Sequence, residues 1–71
     1  MTEFNTGFPS VRQIQSFIKN KTTIEVSVVN SEKTLKGVIQ WQDQNCLFLL
    51  SEQQEQTLIW FQAVVYIKKR S

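Results

Sequence analysis

The residues that could do chemistry in this sequence suit binding better than bond-breaking. Gln44, Asn45 and Gln62 carry amides, which offer both a donor and an acceptor and can read the edge of a base. Trp41, Phe48, Trp60, Phe61 and Tyr66 offer flat rings on which bases stack. Arg12, Lys19 and Lys21 form one group of cations, and Lys33 and Lys36 a second; either can meet phosphates. Each has a plainer reading. Aromatics on strands usually fill a core or an interface, loop amides are solvated, and cations at a helix end match its dipole. Catalytic equipment is missing. There is no His and no Gly-rich phosphate loop, and Cys46, the one cysteine, has no base partner. The carboxylates are scattered without a spacing that suggests an acid/base pair. No enzyme and no cofactor are expected, and Cys46 reads as a small buried hydrophobe.

The elements that hold these groups must fit in 71 residues. That is one domain, and a domain this size is marginal on its own. Small chains add disulfides, a metal or further subunits. A single Cys and no His remove the first two, which leaves oligomerisation. The apolar runs are too short to span a bilayer and no secretory signal is visible, so a cytoplasmic protein without membrane insertion is expected. The net charge of +2 is small, but it adds when copies assemble.

Residues 1–8 lack periodicity and read as a flexible arm, with Phe4 and Phe8 free to pack on the body or a neighbour. The domain is expected over 9–71. A helix is predicted over about 10–20, with Ser10 as N-cap and Gln13 completing a capping box. Val11, Ile14, Phe17 and Ile18 form its apolar stripe, and Asn20 suits its end. Strands are predicted over about 23–30, 34–42, 46–51, 56–61 and 63–68. In the second, Leu35, Gly37, Ile39 and Trp41 point one way, and Lys36, Val38, Gln40 and Gln42 the other. Gly37 marks a bend or a close backbone approach. Asp43 and its neighbours are turn formers.

The last two strands, Leu58-Ile59-Trp60-Phe61 and Ala63-Val64-Val65-Tyr66-Ile67, are apolar on both faces. Antiparallel strands normally need one apolar face, and exposed edges of this kind aggregate. Pairing one edge with a different edge of the next copy covers them and closes into a ring when the rotation allows. Leu58, Trp60, Val64 and Tyr66 are the expected interface residues. The fold class is mainly β: a five-stranded, bent antiparallel barrel with an N-terminal helix.

This arrangement resembles the Sm-like proteins, and in particular the bacterial Hfq family in its cyanobacterial branch. The features are the helix before five strands, Val28-Val29-Asn30 leading into a hairpin, and Leu35-Lys36-Gly37-Val38-Ile39 followed by Asp43-Gln44. Trp60-Phe61-Gln62-Ala63 before an apolar last strand completes them. The resemblance covers about residues 9 to 68 and implies a homohexameric ring that acts as an RNA chaperone on small RNA and mRNA.

It also assigns sites. A uridine pocket on one face falls on Ser10, Gln44, Asn45, Phe61 and Gln62, with the family's Tyr-Lys-His replaced by Trp60, Phe61 and Gln62. The family's rim arginines fall on Ile18, Lys19 and Lys21, and Arg12 lies on the same helix. The opposite face takes Asn30, Lys33 and Lys36, with Ser27 where the family has an adenine-stacking Tyr. Loss of the pocket Lys and His motivates a rival: a ring that docks protein partners and binds RNA weakly.

Overall fold

A computed structural model describes residues 7–70, so Phe4 and most of the expected arm lie outside the described residues. Helix α1 (Pro9–Lys19) is followed by β1 (Thr23–Val28), β2 (Leu35–Gln42), β3 (Cys46–Ser51), β4 (Gln56–Trp60) and β5 (Val64–Lys69). A 3-10 turn, Phe61–Ala63, joins the last two. All pairings are antiparallel, in the order β4-β3-β2-β1-β5. The helix and five strands are those the sequence predicts, with ends displaced by one or two residues. The largest difference is β1, which ends at Val28 because Asn30 turns the chain with φ of 59°.

The helix start corrects the reading of Ser10. Phe8 is the N-cap, and no side chain caps the helix. Pro9 is its first residue, where a fixed φ and a missing N–H both suit the position. Ser10 therefore sits inside the first turn. Phe8 is 57% exposed and does not pack on the body. The helix ends at Asn20 as expected. Thr22 N–H donates to the Phe17 carbonyl at 2.9 Å and Lys21 N–H to that of Ile18 at 3.2 Å. That pair of bonds is a Schellman motif, with Lys21 in the left-handed region at φ 51°.

Ile24, Val26, Ile39, Leu47, Leu49 and Ile59 form the buried core. Ile14, Phe17 and Ile18 of α1 pack against it, so the apolar stripe of the helix covers the inner face of the sheet. Each fully buried aliphatic side chain contributes about 1.5–3 kcal/mol. Gly37 is a close-approach site: a Cβ there would meet the Leu50 carbonyl, with Leu50 C at 2.8 Å and Ser51 Cα at 3.0 Å.

Strand β2 changes register two residues after Gly37, between Ile39 and Trp41. Gln40 is an extra residue, a β-bulge, and it reverses the alternation beyond it. Ile39 faces the core, but Trp41 pairs with Phe48 on the outer face and stacks on it, ring centroids 5.3 Å apart and 3° from parallel. Gln42 pairs with Leu47 and turns inward. Strict alternation had placed both on the wrong sides. Val65 is a second extra residue, opposite the Ser27–Val28 step.

Candidate nucleic-acid interface

One end of the sheet gathers the pocket candidates. Asp43 sets the β2–β3 turn. Its Oδ1 accepts from the Asn45 N–H at 2.8 Å and the Cys46 N–H at 3.0 Å. These bonds hold the Asp43 carboxyl below the usual range, although partial burial opposes them. Cys46 is buried, and burial, helped by the neighbouring Asp43, pushes its thiol up. It is a packed side chain and not a thiolate nucleophile. Gln44 and Asn45 stay exposed at the tip of the turn.

The Phe61 N–H donates to the Asn45 carbonyl at 2.9 Å. That bond fixes the 3-10 turn against the β2–β3 turn and brings Gln62, exposed, to the same end as Gln44 and Asn45. The Phe61 ring is half-buried and packs on the core. The helix start is tied to this end as well, because Gln42 Nε2 donates to the Val11 carbonyl at 3.2 Å. Ser10 lies one residue away in sequence. Gln42 Oε1 is buried and has no partner among the described residues. Sequence reasoning missed Gln42, since the signal that turns it inward is the bulge at Gln40.

The rim candidates Arg12, Lys19 and Lys21 are all exposed, on or just beyond the helix. Of the opposite-face candidates, Lys33 and Lys36 line an open groove of about 690 Å³ together with Glu32, Glu52 and Glu55, so its charge is mixed. Asn30 lies in the β1–β2 turn and does not line this groove. Among the interface candidates, Leu58 and Trp60 are exposed on β4 and Tyr66 on β5. Val64 packs against the chain's own core instead, because the extra residue Val65 returns it to the inner face.

A cluster of charge that the sequence reading did not single out lies across β1 and β5. Glu25 is only 7% exposed. Its Oε1 accepts from Arg70 Nη1 at 2.8 Å, and Lys68 Nζ lies 3.7 Å from its Oε2. The Arg70 hydrogen bond, with Lys68 and Lys36 nearby, holds this carboxyl below its ordinary value against the opposing effect of burial. The signal was present in the sequence: Tyr66, Lys68 and Arg70 alternate along the end of β5 and one residue past it.

Comparison with known proteins accords with this architecture. The profile of a family described as Hfq related matches residues 8–69. An Hfq protein from Anabaena sp. is 34% identical in its crystal structure, with a TM-score of 0.76, covering 87% of this chain and 97% of that one. The crystal structure of the pleiotropic translational regulator Hfq is 27% identical, with a TM-score of 0.77, covering 83% and 95%. No curated protein matches the chain. Among the described residues, no helix is long and apolar enough to cross a membrane. With most of its length matched by the family profile, and with the helix and five antiparallel strands in place, the chain belongs to the Hfq-related family of Sm-like proteins.

Proposed function

We propose that this protein is an RNA-binding regulator that works as a homohexameric ring, engaging small RNA and mRNA. The observation that carries the ring is the sheet order, β4-β3-β2-β1-β5. The two outermost strands differ, so pairing the free edge of β4 with the free edge of β5 in the next copy repeats head to tail, which makes a ring when the rotation closes. Both strands carry exposed apolar side chains: Leu58 and Trp60 on β4, Val65 and Tyr66 on β5. Unpaired edges of this composition invite association.

RNA binding follows from assembly. Six copies of a +2 chain carry +12, and a multivalent cationic ring captures phosphates by releasing counterions. Gln44, Asn45 and Gln62 converge at one end, where they repeat around the ring as polar contacts for base edges. The cations of the helix supply the rim.

The test is a titration of labelled uridine-rich and adenine-rich RNA at two salt concentrations, with mass measured in parallel. Tight, steeply salt-dependent binding by a hexamer supports the reading. A second reading, a ring that docks a protein partner, draws on exposed Trp41 stacked on half-buried Phe48 on the outer face of the sheet. Weak binding to every RNA, with little salt dependence, favours that one.

A further inference from the structure

Helix α1 is fastened to the sheet unevenly. Its middle and end carry the residues that meet the core, Ile14, Phe17 and Ile18, and it runs on towards β1 through the Schellman turn at Lys21. The first turn has less support. No side chain caps it, it holds no acidic residue, and Val11, its one aliphatic side chain, is only half-buried. What ties it down is Gln42, the last residue of β2, whose Nε2 donates to the Val11 carbonyl at 3.2 Å. Among the described residues, no other hydrogen bond joins the helix to a strand.

That bond is the first link of a short path. Gln42 precedes Asp43, whose Oδ1 accepts from the Asn45 and Cys46 N–H groups and shapes the β2–β3 turn. The Asn45 carbonyl accepts from the Phe61 N–H at 2.9 Å, which secures the 3-10 turn. Three segments far apart in sequence are joined in this way. Each bears exposed polar side chains: Ser10 on the helix, Gln44 and Asn45 in the first turn, Gln62 in the second. Stability alone does not call for Gln42. Its Oε1 is buried without a partner among the described residues, and an unmade buried hydrogen bond costs the desolvation of its group. The bond from Nε2 replaces one to water and gains little net. The Val11 carbonyl does not need it, since a helical carbonyl already accepts from the N–H four residues on. An apolar side chain of the same length would fill the space without the orphaned oxygen. A polar group kept against stability points to a positional duty.

We propose that Gln42 is a positioning residue that fixes the start of the helix against the two turns. Ser10 then keeps a set place relative to Gln44, Asn45 and Gln62, and Gln42 itself touches no RNA. The proposal rests on the RNA-binding reading above and names the contact within one subunit that sets the geometry of its polar end. Without the Gln42 amide, the first turn of the helix lifts from the sheet while the rest of the fold stays.

The experiment compares the full unmodified chain with Gln42→Met, which keeps the length of the side chain and removes both polar atoms. The denaturant midpoint is expected to stay or rise. Amide hydrogen exchange is expected to quicken about tenfold at Arg12 to Gln15 and to stay unchanged in β1. Binding of labelled oligo(U) or oligo(A), read by fluorescence anisotropy, is expected to weaken about threefold or more, because the helix start must be re-ordered on binding. Unchanged exchange at Arg12 to Gln15, or exchange that quickens equally in β1 as the midpoint falls, overturns the positioning role. If the unmodified chain binds RNA and Gln42→Met binds it equally well, that role is overturned and the wider reading stands. Absence of binding by the unmodified chain overturns both. Should Gln42→Met fail to fold, the unmodified chain decides: its Gln42 side-chain amide is expected to exchange more slowly than that of exposed Gln44, and equal rates overturn the proposal.

Discussion

Arg70 closes onto Glu25 across the β1–β5 ladder, with Nη1 and Oε1 2.8 Å apart although the residues are 45 positions apart in sequence. The contact joins the last described residue of the chain to its first strand, and it has a pH signature. Glu25 has a lower pKa in the folded chain than when unfolded. Its contribution is therefore complete above the ordinary value of 4.5 and is lost as pH falls below that, through the lower folded value. Denaturant unfolding followed from neutral pH into this acid range is expected to show falling stability. Glu25→Gln, which cannot titrate, is expected to flatten that dependence. The residual slope belongs partly to Asp43, whose carboxyl is also held low.

Gly37 should tolerate no side chain. A Cβ there meets the backbone of Leu50 and Ser51, which cannot swing aside as a side chain does. Gly37→Ala is expected to cost about 3 kcal/mol or to prevent folding, at the upper end of overpacking penalties. A shift in the denaturant midpoint, or loss of soluble protein, reads it out. An unchanged midpoint would mean that the β2–β3 spacing is looser than described.

Lys21 holds a backbone conformation that suits glycine. Lys21→Gly is expected to stabilise the chain by about 1 kcal/mol, raising Tm by roughly 4–8 °C for a domain of this size. Lys21→Ala is expected to give no such gain. Combining Lys21→Gly with Lys19→Ala removes two exposed cations and is expected to weaken RNA binding with a shallower salt dependence. If affinity holds at both salt concentrations, the helix cations are not a rim for RNA.

The proposed ring depends on two unlike edges. Leu58, exposed on β4, can be replaced by Lys without disturbing the chain's own core, and charge on an edge opposes pairing. Leu58→Lys is expected to convert the proposed hexamer into smaller species in light scattering at micromolar concentration. A hexamer that persists unchanged would place the subunit contact elsewhere.

Most of the architecture was legible because periodicity reports burial. Ile24 and Val26 alternate, and both are buried; the stripe of the helix lies where its spacing puts it. What alternation could not reveal was an extra residue. Gln40 and Val65 each reset the phase, so Trp41, Gln42 and Val64 lie on faces other than those the simple pattern gives. Ser10 resembled a cap, but Pro9 next to it fixed the helix start one residue earlier. The pocket candidates in the two turns do come together, through the Phe61–Asn45 hydrogen bond, a long-range contact that no local pattern encodes. The Glu25 cluster went unnoticed because a single carboxylate in a strand looks like a solvated position until Lys68 and Arg70 are folded over it.

The bulge at Gln40 divides one ribbon between two duties. Before it, Gly37 and Ile39 build the interior. Past it, Gln42 holds the start of the helix while Trp41 looks out on solvent. Variation at the outward indole can therefore alter what the surface attracts while the packed centre stays as it is. Deletion of Gln40 would set Trp41 directly after Ile39 and still opposite Phe48, so both side chains would keep their faces and only the local kink of the strand would be lost.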